Sequence, residues 1–154
     1  MASISTARTS VDRIALNRLW WLGPLAAGSA AGGTLLVRTI AVAFFGLPAT
    51  LEALAPLRVA GASIAAVLAG TLVFAALGRI SQRPLRLFQR IAGVVLLLYS
   101  LVPILALKLA PDVFPGIDGK AVWTMEVMHL VAGAITVGLF TWLAKVDTQA
   151  TGGR

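Results

Sequence analysis

Four stretches of this chain are almost wholly apolar, broken by few ionisable residues and without alternation between apolar and polar positions. They run from about Leu19 to Phe45, Leu57 to Leu77, Ile91 to Ala110 and Ala121 to Ala144. A helix needs roughly 20 such residues, at ~1.5 Å rise each, to cross a bilayer. Continuous hydrophobicity favours helices over the alternating strands of a membrane barrel. The intervening segments hold helix breakers: Gly46-Leu47-Pro48, Pro56, Ser81-Gln82-Arg83-Pro84, and Pro111 to Gly119. The pattern predicts an all-α fold, a four-transmembrane-helix bundle that forms a single membrane domain over residues 1–154. The ends, Met1 to Thr9 and Asp147 to Arg154, are small and polar and are expected to be disordered.

Composition supports the bilayer. Hydrophobic residues make up 58 % of the 154 and charged residues 12 %, against a usual apolar share of about 45–50 %. The mean hydropathy is +0.90. A soluble domain of this size needs a polar surface that these residues do not supply. The absence of cysteine removes disulfides, thiolate metal sites and dithiol redox chemistry.

The net charge of +7 is explained by topology rather than by nucleic acid, because the basic residues flank the apolar runs. Arg8, Arg13, Arg18, Arg79, Arg83, Arg86, Arg90, Lys145 and Arg154 fall on one side, and Arg58, Lys108 and Lys120 on the other. Both termini are therefore expected in the cytoplasm, with the protein in a bacterial inner membrane. A cleaved signal peptide is the rival reading of the first run, but that run continues to Phe45, too long for a signal h-region.

Candidate chemistry lies inside the runs. Glu126 and His129 are three residues apart on the fourth, and so share a helix face. Counted at ~1.5 Å per residue, Glu126 is about 7 Å, His129 about 12 Å and Arg38 about 10 Å below the outer surface. An Arg38–Glu126 ion pair is expected, since a lone charge at mid-membrane costs roughly 2.5–3.5 kcal/mol on insertion scales. Pro103 lacks an N–H and frees the carbonyl of Tyr99, which with the Tyr99 and Ser100 hydroxyls adds to the same polar level. The ligand-binding candidates are Arg38, Tyr99, Ser100, Glu126 and His129.

Other chemistries are poorly served. Glu126-x-x-His129 is half of a di-iron motif, but the chain has one histidine and no second copy. One imidazole cannot supply both axial ligands of a haem, and no cofactor is expected. No nucleophile elbow and no phosphate loop is present. The small-residue series Gly28–Gly32, Gly61–Ala65–Ala69 and Ala134–Gly138 suit close helix packing, within the bundle or in a homodimer. Trp20, Trp21, Trp123 and Trp142 suit an interfacial belt.

The stretch from Arg90 through Tyr99-Ser100-Leu101 to Pro103, and Met128-His129-Leu130, resemble an uncharacterised family of small four-helix bacterial membrane proteins of actinobacterial type. Its members carry a Leu-Ser-Leu-x-x-Pro-like third helix and a Met-His-Leu-like fourth. The resemblance implies a membrane location and a fourth-helix histidine, here His129. It implies no activity, and Arg38, Arg58 and Glu126 lie outside its pattern. Two functions follow. One is a non-catalytic membrane subunit or scaffold, held by Arg38–Glu126 and joined to the lipid bilayer and to a homodimer or larger complex. The alternative is an outward-opening small-molecule binder, carrier or enzyme that uses Arg38, Glu126 and His129. The scarcity of catalytic groups favours the first.

Overall fold

The computed structural model describes residues 15–109 and 116–144. The ends expected to be disordered, and Ala110 at the close of the third run, lie outside them. Four helices are long and apolar enough to cross a membrane: α1 (Leu19–Phe44), α2 (Pro56–Ile80), α3 (Pro84–Leu109) and α4 (Gly119–Leu143). No strand occurs among the described residues. Each helix packs on its neighbours in sequence, α4 also closes on α1, and α2 touches α4 across the middle. The result is a four-transmembrane-helix bundle.

Local chemistry sets the helix ends. Pro56 and Pro84 open α2 and α3, where the missing N–H has no intrahelical role. The Asp118 carboxylate caps α4 by accepting from Ala121 N at 2.8 Å. Gly46 ends α1 at φ +68°, a conformation that a side chain disfavours. α3 begins at Pro84, before the Ile91 expected from hydropathy alone. Its first turns are amphipathic, with Leu85 and Phe88 buried and Arg86 and Arg90 exposed, so the helix starts ahead of the continuous apolar run.

Two cores hold the bundle. At the end where α1 begins, Phe74, Phe88 and Phe140 form a ring cluster with centroids 4.9, 5.1 and 5.5 Å apart. It ties α2, α3 and α4 together beside the short turn Ser81–Arg83. At the opposite end the α1–α2 connection dips inward. Leu47, Leu51 and Leu54 are buried with Ala41, Val59, Ala121 and Met128.

Helix contact is closest at glycines other than those of the small-residue series. A Cβ on Gly33 would stand 2.8 Å from Ile135, one on Gly23 3.0 Å from Thr71, and one on Gly133 3.2 Å from Leu96. Gly28, Gly32, Gly61 and Gly138 meet nothing within 4 Å. Helix backbones approach where a missing side chain lets them, and here those positions are Gly23, Gly33 and Gly133. Thr34 and Ser63 add an α1–α2 hydrogen bond at 3.0 Å. A third of the most apolar window of α1 is buried, against 6 % in α3. α1 is therefore the hub and α3 the periphery.

Candidate functional site

α2 and α3 are pinned at one end by the phenylalanine cluster and the short turn. Farther along, α2 presents Ala66, Ala69 and Gly70, α3 presents Ala92, and α4 presents Gly133. These side chains are too small to fill the space between the helices. A cleft of about 370 Å³ remains, with α4 along its floor. Val67, Phe88, Ile91 and Leu96 make its walls apolar. Ala66, Val73, Val95 and Tyr99 line it and are exposed, so the mouth opens on the flank of the bundle between α2 and α3. This cleft therefore opens sideways, whereas the residue depths suggest an opening toward the bundle's outer end.

His129 lines this cleft from α4. The Tyr99 ring stands edge-on to it, with centroids 6.0 Å apart. Helical spacing puts Glu126 on the same face of α4, one turn nearer the α1–α2 connection. Glu126 Oε1 and His129 Nδ1 are buried, and neither has a hydrogen-bond partner. An unmet buried polar atom costs about 1–3 kcal/mol, and several kcal/mol in hydrocarbon. Nearby hydroxyls do not relieve them. Thr124 Oγ1 donates to Lys120 O at 2.8 Å, and Thr136 Oγ1 to Ala132 O at 2.7 Å.

The expected Arg38–Glu126 ion pair is not formed. Arg38 Nε donates to Leu54 O at 2.5 Å and Nη2 to Ala49 O at 3.1 Å. The physical reason is the inward dip of the connection. It brings backbone carbonyls within reach of a long side chain that extends toward the bundle's end. Arg58 pairs with Glu52 on the same connection, the one salt bridge among the described residues. Arg38 is thus a brace for this connection, away from the cleft.

Of the five candidates, the fold gathers His129 and Tyr99 on the cleft and Glu126 beside it. Ser100 is half-buried and does not line the cleft. Hydropathy did not single out Gly70, Gly133 or Thr136, which shape the cleft. Single small residues within an apolar run leave no signal until the neighbouring helix is known. The chemistry at hand among the described residues is that of an imidazole, a carboxyl, a phenol and the Thr136 hydroxyl in apolar surroundings. They can exchange hydrogen bonds or a proton with a bound molecule. Among the described residues no serine or threonine hydroxyl hydrogen-bonds to His129; Thr124 and Thr136 both donate to backbone carbonyls.

The model of a protein family described as "Family of unknown function (DUF6069)" matches residues 14–145. No curated protein and no solved structure matches the chain.

Proposed function

The chain belongs to the DUF6069 family of unknown function, and from that premise we propose that it binds a lipid-soluble small molecule in the cleft between α2 and α3. One observation carries this reading. Two buried polar atoms, Glu126 Oε1 and His129 Nδ1, lack partners on the helix that floors an apolar cleft. A ligand with an apolar body and a hydroxyl or carbonyl group satisfies both features. Its body lies against Val67, Ile91 and Leu96 and its polar group meets His129. Entry is sideways from the bilayer, through the mouth beside Val73 and Val95. The protein sits in a bacterial inner membrane with both termini in the cytoplasm, and of Met128-His129-Leu130 it is His129 that meets the ligand.

Native mass spectrometry of the protein extracted in mild detergent tests the reading. Wild type is expected to retain a lipophilic molecule. Gly70→Phe projects a ring into the cleft from a position where a Cβ meets nothing within 4 Å. It is expected to lose that molecule while keeping its melting temperature. His129→Gln preserves one hydrogen bond but no titration near neutral pH. It is expected to retain the molecule more weakly. Equal retention by wild type and Gly70→Phe would exclude the cleft.

A second reading, a subunit of a larger complex, is favoured by the thin packing of α3. A partner helix would then cover the mouth and supply the missing hydrogen bonds. Its mark in the same experiment is a retained polypeptide in place of a small molecule.

A further inference from the structure

A second and larger cavity, about 780 Å³, lies between α1 and α4 at the end that carries the α1–α2 connection. It is separate from the α2–α3 cleft and does not depend on how that cleft is used. Val37, Ile40 and Phe45 line it from α1 and its end, and Trp123 and Val127 from α4. Lys120 is at its rim. The apolar groove follows α4 from Gly119 to Val127, about 12 Å at ~1.5 Å per residue.

Two features specify an occupant. The first is charge. No carboxylate among the described residues reaches Lys120 within salt-bridge distance. Asp118, which lines the groove beside Lys120, has its Oδ1 engaged as the cap of α4. The ammonium lies over the end of α1, 3.8 Å from where a Cβ on Gly46 would stand. The second is depth. Trp123 is 73 % exposed and lies one turn from Lys120 on the same face. An exposed tryptophan at a span end belongs at the headgroup level of the bilayer. The cation is therefore held among headgroups, directly above an apolar channel that leads into the hydrocarbon.

We propose that this groove is a binding site for one anionic phospholipid of the leaflet it faces. The phosphate sits on Lys120 and an acyl chain lies along Val37, Ile40 and Val127. A zwitterionic lipid supplies the same chain but brings its own cation, which competes with Lys120 for the phosphate. The site therefore selects by headgroup.

Fluorescence quenching tests it on the full chain. Trp20, Trp21 and Trp142 are changed to Phe, leaving Trp123 as the sole indole. The protein is reconstituted in phosphatidylcholine vesicles with a minor fraction of acyl-brominated phosphatidylglycerol or, in the parallel arm, acyl-brominated phosphatidylcholine. Half-quenching of Trp123 is expected at a fraction of brominated phosphatidylglycerol on the order of fivefold lower, the preference that one basic side chain near anionic lipid confers. Lys120→Gln is expected to abolish the difference. Arg58→Gln, at the same end but already paired with Glu52, is expected to keep it. Excess inorganic phosphate is expected to leave quenching unchanged. Equal quenching by the two lipids in the Lys120 protein overturns the proposal without recourse to any variant of the site. An undiminished preference in Lys120→Gln overturns it too, and displacement by inorganic phosphate overturns the assignment to lipid.

Discussion

The guanidinium of Arg38 binds the carbonyls of Leu54 and Ala49, so its role is to hold an inturned connection against the end of the bundle. Arg38→Met is expected to lower stability by about 1–3 kcal/mol, the range for leaving a buried polar group unmet, here the carbonyl of buried Leu54, since the Ala49 bond is exposed. Because Glu126 is not its partner, the Arg38→Met and Glu126→Gln effects should add within ~0.5 kcal/mol. Unfolding of the two single mutants and the double mutant in detergent measures this. A coupling well above that bound would restore a direct pair. Glu126 and His129 were legible in the sequence as ionisable groups in an apolar run, and they do lie together. The partner of Arg38 was not legible. Counting rise along a helix places its Cα, but not the reach of a long side chain or the inward fold of residues between two helices.

At the scale of helices, the four spans could be read directly, since hydropathy over twenty-odd residues is a strong signal. Which glycine makes a contact could not, because that depends on the rotation of each helix about its axis. Gly28 and Gly32 have the spacing of a packing motif, yet they meet nothing within 4 Å. Gly33, their neighbour, carries the α1–α4 approach. Gly33→Leu is expected to cost at least the ~1–3 kcal/mol of an overpacked core, while Gly28→Leu should leave the detergent melting temperature within error. Similar losses from both would mean that Gly28 faces a partner. The cleft between α2 and α3 was equally invisible. It arises from a phenylalanine cluster at one level and small side chains at the next, and no single helix contains that combination.

For the whole molecule, an even number of crossings puts the start of α1 and the end of α4 at the same end. The side follows from charge. Nine Lys and Arg residues belong to that end by sequence, and Arg58, Lys108 and Lys120 to the other. Arg38, whose guanidinium reaches the α1–α2 connection, joins the smaller group. The imbalance still predicts cytoplasmic termini. Alkaline phosphatase fused after Gly116 should be active, and fused after Arg154 inactive; the reverse pattern would invert the topology. The two helix ends at this side are also in contact. Ala15 N donates to Ala144 O at 3.0 Å, and Arg18 Nη1 to Leu143 O at 3.2 Å. The helices therefore form a closed circuit with only a non-covalent seam between the last and the first. Such a circuit has no privileged starting point. A permuted gene that joins the seam with a short flexible linker and opens at Gln82 should give a chain that begins with α3 and ends with α2. It should insert, melt near the wild-type temperature and keep the α2–α3 cleft, now bordered by the new ends.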